Sequence, residues 1–345
     1  MWPYWLMFVW PLLGVLSHRR LVRPEQRLLW WFTAAFFTVM IGLRFEVGGD
    51  WYTYADLMRN VAFGDLSNAL KYGDPGYYGM SWLVAQLGGG IYVVNLLCGA
   101  MVMAGVVAFA RAQPRPWLAL LVAVPYLIMV VAMGYTRQSV ALGFALIGLV
   151  ALGRQRIKAF VIWVLIGALF HRSAVLLLPI AALAASRNRV WNMVWVAVVA
   201  AMAAALLVGK DSETLWANYV VADYQSEGGL IRVVMNAVPS LLILMFRRRL
   251  ILDEAERKLW VWMALLSLAC IPLVITSSTA VDRVSLYFIP IQMYVFARLD
   301  RLADNRDSRT LLVFGVVVYY ALIEFVWLNF AKTAFAWVPY HFMHL

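Results

Sequence analysis

Charge is the scarce ingredient of this chain. Asp, Glu, Lys and Arg make up 14% of its 345 residues, where soluble domains carry roughly 25%. Water is therefore not its main solvent. Cysteine is scarcer still. Cys98 and Cys270 both lie inside apolar runs, which excludes a disulfide framework or a cysteine-built zinc site. The chain has no Asp-x-Asp and no cluster of His or Cys, so it calls for no bound metal and no cofactor. No internal repeat or low-complexity stretch stands out, and no polar stretch is long enough for a soluble domain. Short segments of alternating apolar and polar residues are missing as well, which excludes a spanning β-barrel.

What is present is hydrophobic: 64% of the residues, against about 45–50% in soluble domains. The apolar residues gather in continuous runs of helix-spanning length. Spans are expected at roughly 2–16, 28–43, 91–110, 117–133, 138–153, 159–170, 174–185, 190–208, 231–246, 259–276, 284–297 and 310–330. The fold class is thus an all-α polytopic integral membrane protein with about 12 transmembrane helices, one transmembrane domain over 1–345. Trp2 to Leu16 begins without a basic region, so it reads as a first span and not as a cleavable leader. Tyr77 to Leu87 is apolar but too short to span. It follows Pro75-Gly76 and ends in Gly88-Gly89-Gly90, and it reads as a re-entrant or interfacial helix.

Orientation follows from the basic residues. With both termini outside, the inner loops hold 20 of the 29 Lys and Arg but 7 of the 18 acids. The outer segments hold 9 basic residues and 11 acids. That asymmetry is the positive-inside pattern. It removes nucleic acid as the explanation of the net charge of +11. It fits an inner-membrane protein with its longest outer loops at about 44–90 and 209–230. If Tyr77 to Leu87 spanned, every later loop would flip and the bias would lose its sense.

This topology collects the polar residues on the non-cytoplasmic side. The first outer loop carries Arg44, Asp50, Lys71, Asp74 and Tyr77, with Gly48-Gly49 free to turn sharply before Asp50. Arg137-Gln138, His171-Arg172-Ser173 and Asp282-Arg283 mark later outer junctions. Each also has a plain reading. Arg44 fits a snorkelling span end, Asp50 a helix cap, and Arg137 a partner for carbonyl ends. His171 alone fits a structural residue, Asp282-Arg283 a local ion pair, and the aromatic residues interfacial anchors. Glu324, inside the last span, implies a protein-facing or wet environment. Taken together, several arginines at one membrane face suit a diphosphate, because guanidinium binds phosphate bidentately and stays charged. A carboxylate or imidazole beside them supplies a general base. Those are the requirements for moving a sugar off a lipid diphosphate.

The ordered set Arg44 to Tyr54, Asp74-Pro75-Gly76-Tyr77, Arg137-Gln138, Phe170-His171-Arg172-Ser173 and later Arg283 resembles the EpsG family. These are membrane proteins of exopolysaccharide and capsule loci, similar to Wzy-type polymerases. The resemblance covers most of the chain and is densest over 44–175. It implies a fold like that of the C-type membrane glycosyltransferases. It also implies polymerisation of undecaprenyl-diphosphate-linked repeat units at the periplasmic face. In that reading Arg44, Arg137 and Arg283 hold the diphosphate with Gln138 beside them. Asp50 is the first choice for the base and His171 the second, and Asp74 and Tyr77 shape the acceptor side. Partners would be the lipid-linked glycan, a chain-length regulator and export-machinery proteins. The family pattern leads us to expect Glu-Pro-Gly where this chain has Asp74-Pro75-Gly76. The shorter acid either approaches its target differently or only caps a helix. Two rivals stay open: a flippase or transporter of lipid-linked glycan, and a ligase or acyltransferase acting on it.

Overall fold

A computed structural model describes residues 1–17, 22–184, 189–207, 229–276 and 278–343. The basic turn at 18–21, Arg187 and nearly all of the expected outer loop 209–230 lie outside the described residues. Described helices long and apolar enough to cross a membrane are Ile91–Arg111, Thr136–Gly153, Gly229–Leu250, Glu254–Ile275 and Arg306–Phe330. The protein is thus an all-α, multi-pass membrane protein. Shorter apolar helices, among them Trp2–Leu16, Ile157–Phe170 and Val190–Ala203, fill other expected segments.

Two expected spans are not single helices. The 174–185 segment is a 3-10 turn, Arg172–Leu177, followed by a short helix, Leu178–Ala184. The 284–297 segment is broken into Ser278–Ser285, a 3-10 turn at Leu286–Phe288, and Pro290–Phe296. Pro290 explains the second break. A proline lacks the N–H that a helix interior needs, yet suits a first turn.

The chain divides into two compact units. The first comprises Met1–Phe144, Leu169–His171 and Phe314–Leu345, and the second Ala145–Ala168 and Arg172–Val313. In the first unit, α1 (Trp2–Leu16) and α2 (Arg23–Gly42) lead to a two-residue strand, β1 (Arg44–Phe45). Three short helices follow: α3 (Trp51–Ala62), α4 (Leu66–Leu70) and α5 (Pro75–Gln86). At 12 residues, α5 is about 18 Å long and cannot cross a hydrocarbon layer of about 30 Å. It covers the segment expected at 77–87. Next come α6 (Ile91–Arg111) and α7 (Pro116–Ala123), which continues as a π-helix over Val124–Ala132, and then α8 (Thr136–Gly153). Trp30 stacks on Trp117 at 4.4 Å between ring centroids, tying α2 to α7. Gly105 of α6 and Gly143 of α8 meet backbone to backbone, the close approach that small residues allow between membrane helices.

One end of this unit is closed by the segment after Phe330. β2 (His341–Phe342) pairs antiparallel with β1, Arg44 opposite Phe342 and Phe45 opposite His341. The Tyr4 hydroxyl donates to the Trp337 carbonyl at 2.5 Å. The Tyr340 hydroxyl donates to the Met40 carbonyl at 2.6 Å. The Trp337 indole donates to the Met129 carbonyl at 2.9 Å, and Gly48 N donates to the Ala336 carbonyl at 2.8 Å. The beginning of α1, the end of α2, the first loop, the end of the π-helix and the tail therefore share one end.

In the second unit the buried Trp260 and Tyr294 rings stack at 3.9 Å, and the Arg298 guanidinium lies 3.5 Å from the Tyr294 centroid. Arg298 also approaches Glu256 at 3.6 Å.

Two features of the first unit give stability predictions. Gly48 has φ +106° and sits against the Met133 carbonyl. Gly48→Ala meets both obstacles and should destabilise the protein by at least about 2 kcal/mol, read as a lowered melting temperature in detergent. The last long helix, Arg306–Phe330, buries one ridge: Val316, Tyr320, Glu324 and Leu328. Neither carboxyl oxygen of Glu324 has a hydrogen-bond partner among the described residues. Glu324→Leu should therefore leave stability unchanged or raise it by on the order of 1–3 kcal/mol. A lower melting temperature would show that the acid is satisfied by a bound group.

Candidate functional site

The first loop is organised around Arg44. Its side chain is 1% exposed. Nε donates to the Val47 carbonyl at 3.0 Å, Nη1 to the Ile41 carbonyl, and Nη2 to the Thr136 hydroxyl at 3.1 Å. Trp51 covers the guanidinium, 5.7 Å from its centroid. All these partners are neutral, and burial pulls the Arg44 pKa below its usual value. Arg44 thus binds the end of α2 and the loop to the start of α8. The sequence reading put it on a diphosphate. The structure shows its donors turned toward protein.

Arg137, the next residue along α8, is held differently. Its Nη1 donates to Asp74 Oδ2 at 2.9 Å and, more weakly, to the Tyr78 hydroxyl at 3.5 Å. Its guanidinium lies 5.9 Å from the Tyr54 ring and 5.7 Å from the Tyr78 ring. Asp74 is 5% exposed, but the Arg137 side chain keeps 29% of its surface open, and its Nε has no hydrogen-bond partner among the described residues. The result is a cation walled by aromatic rings and oriented by one carboxylate. Asp74 stands at the N-cap position of α5, yet its side chain makes no cap hydrogen bond. It reaches across to Arg137 instead, so the shorter acid acts as more than a helix cap.

The remaining expected residues of this unit differ in burial and neighbours, and some of them pack beside that pair. Asp50 is half-exposed and occupies the N-cap position of α3 without a side-chain cap bond. The Tyr54 phenol responds to both charges: burial pushes its pKa up, Arg137 opposes this, and Asp50 adds to it. Tyr77 is 1% exposed, its ring 5.4 Å from Tyr54 and 5.6 Å from Tyr78. It packs the wall and does not open to solvent. Gln138 is buried. His171 is half-buried just beyond Phe170. A Cβ on Gly76 would touch Leu169 at 3.0 Å, so the first turn of α5 abuts the helix end that carries His171.

Arg283 belongs to the second unit. There Asp282, beside Arg283 in the chain, is paired with an arginine distant in sequence. Asp282 takes both Nε and Nη2 of Arg232. Around that pair, Asn236 donates to the Ser285 carbonyl at 2.9 Å, Gln292 donates to Asn236 at 2.7 Å, and Ser173 and Tyr287 share a hydrogen bond of 3.0 Å.

Sequence reasoning named Asp50 and Asp74 but not Tyr54 and Tyr78 as wall residues. A signal was present. Asp50…Tyr54 and Asp74…Tyr78 repeat one spacing, an acid at a helix start and a tyrosine four residues on, which puts both on one face. Arg232 carried no such signal, because its partner lies 50 residues away.

The two arginines separate in a simple experiment. Arg44→Lys loses the planar fork that reaches three acceptors and should lower the melting temperature markedly. Arg137→Lys keeps a cation on a part-open side chain and should melt within a few degrees of the parent. Equal losses would show that Arg137 is as structural as Arg44.

A search of curated proteins and a search of solved structures each find no match. The model of the EpsG family matches residues 27–342. Nearly the whole chain is covered, including every site residue named above, and the protein belongs to the EpsG family, membrane proteins associated with exopolysaccharide polymerisation.

Proposed function

We propose that the protein polymerises undecaprenyl-diphosphate-linked oligosaccharide repeat units at the periplasmic face of a bacterial inner membrane. The observation that carries this reading is Arg137: part-open, aromatic-walled, and aimed by Asp74 at the end of the unit where the first loop, the tail and His171 also lie. In the reaction an acceptor hydroxyl attacks the anomeric carbon of the donor. The bond from that carbon to the diphosphate oxygen breaks, lipid diphosphate leaves, and the hydroxyl proton passes to a base. Arg137 would stabilise charge building on the leaving diphosphate, where a preorganised cation acts most strongly. Asp74 would be its positioning residue. Asp50 is the proposed base, in the field of the same Tyr54, with His171 as the second choice. Arg44 is reassigned from ligand to frame: it keeps the loop that carries Asp50 in place. Tyr77 supports the wall from inside, and Gln138 would stand beside Arg137 on the diphosphate side.

One observation favours a second reading. Glu324, inside a span and without a hydrogen-bond partner among the described residues, is the kind of group a flippase of lipid-linked glycan uses. The two readings part in a null strain: a polymerase defect leaves single repeat units on the outer side, a flippase defect leaves them inside.

Tests of the polymerase reading use cells in which each variant inserts and melts like the parent. Arg137→Gln should reduce polymer by more than about tenfold, the loss of roughly 1.4 kcal/mol or more of transition-state binding, and leave single units. Asp50→Asn should do the same. Long polymer from Asp50→Asn would pass the role of base to His171, and long polymer from Arg137→Gln would end the diphosphate reading.

A further inference from the structure

The wall around Arg137 continues outward to a residue that neither the fold nor the proposed reaction uses. Tyr72 stacks on Tyr78, with ring centroids 5.9 Å apart and planes at 24°. Tyr78 is 5% exposed, while Tyr72 is 50% exposed. One face of Tyr72 is therefore held against the wall and the other is open. Its backbone is fixed as well: Tyr72 N donates to the Ala69 carbonyl at 3.2 Å, and Gly73, at φ +144°, turns the chain directly into Asp74. The turn is anchored by α4, whose start is capped by the Asp65 carboxylate accepting from Asn68 N at 2.8 Å.

This is not the pattern of an interfacial anchor. Anchors sit at span ends with the ring at headgroup level, whereas Tyr72 lies between two short helices, α4 and α5, stacked on a buried tyrosine that itself lies beside a guanidinium. We infer that Tyr72, backed by Tyr78, is a sugar-binding platform for the one or two glycan residues next to the diphosphate. The inference rests on the reading of Arg137 as the diphosphate holder. A pyranose offers an apolar C–H face that matches an aromatic face, and its edge hydroxyls match the tyrosine hydroxyls. The Tyr72 centroid is 5.9 Å from Tyr78, and Tyr78 is 5.7 Å from the Arg137 guanidinium. The Tyr72 ring is therefore within about 12 Å of the guanidinium, near enough that sugars next to a diphosphate held there reach it, so the platform reads the reducing-end part of the repeat unit. The ring is already stacked before ligand arrives, and little side-chain freedom is lost on binding. The platform would set which repeat unit is accepted, while Arg137 and the base perform the transfer.

The test uses the full-length protein in nanodiscs. The probe is the lipid-free, phosphate-free repeat-unit oligosaccharide obtained by partial acid hydrolysis of the cells' own polymer, and binding is followed by saturation-transfer NMR and calorimetry. The parent protein should bind saturably. Tyr72→Ala should weaken binding about tenfold, close to 1.4 kcal/mol, without moving the melting temperature. Tyr72→Trp should restore it. In cells, Tyr72→Ala should raise the lipid-linked repeat-unit level needed for half-maximal polymer without lowering the maximum. Equal affinity of parent and Tyr72→Ala, or no binding by the parent, overturns the platform. Full-length polymer from Arg137→Gln, with oligosaccharide binding intact, instead overturns the diphosphate reading and with it the assignment of the platform to reducing-end sugars.

Discussion

Thr136 and Arg137 begin a long membrane helix, and neighbouring residues on a helix point roughly 100° apart. That angle lets one helix start be gripped from two directions. Thr136 receives Nη2 of Arg44, which brings in the end of α2 and the first loop. Arg137 takes Asp74, which brings in α5 and, through Gly76, the helix end before His171. Trp337 packs against Gly134 two residues earlier, so the tail closes over the same point. Segments hundreds of residues apart in the chain are registered at one helix terminus.

The two arginines differ because their partners and exposure differ. A buried cation without a counter-ion is tolerable only when its donors meet strong acceptors. Arg44 meets two carbonyls and a hydroxyl and is closed from solvent. Arg137 has a carboxylate, and its aromatic neighbours present their faces, which attract a cation without using up its hydrogen-bond donors. Part of its surface stays open. One arginine holds the architecture, and the other can meet a ligand.

The second unit shows a different solution. Arg232 and Asp282 satisfy each other bidentately, and Asn236, Gln292, Ser285, Ser173 and Tyr287 extend hydrogen bonding around them. The broken segment from Ser278 to Phe296 supplies several of these groups. Helix breaks in membrane proteins are tolerated where protein satisfies the freed backbone. Asn236 donating to the Ser285 carbonyl is one such contact.

Much of this protein is decided by local composition. Uninterrupted apolar runs impose helices, because a bilayer leaves no other way to satisfy the backbone, and the basic loops lead one to expect Arg44, Asp50, Asp74, Arg137 and His171 on one side. The shortness of the apolar run at 77–87 likewise marks a helix that does not cross. Tertiary structure alone decided the pairings. No local pattern says that Asp74 would leave its own helix start for Arg137, that Asp282 would pair with Arg232, or that Arg44 would be enclosed. Such choices depend on which helix ends meet in space. A one-dimensional pattern reports solvent preference and period, but not the neighbour across a contact.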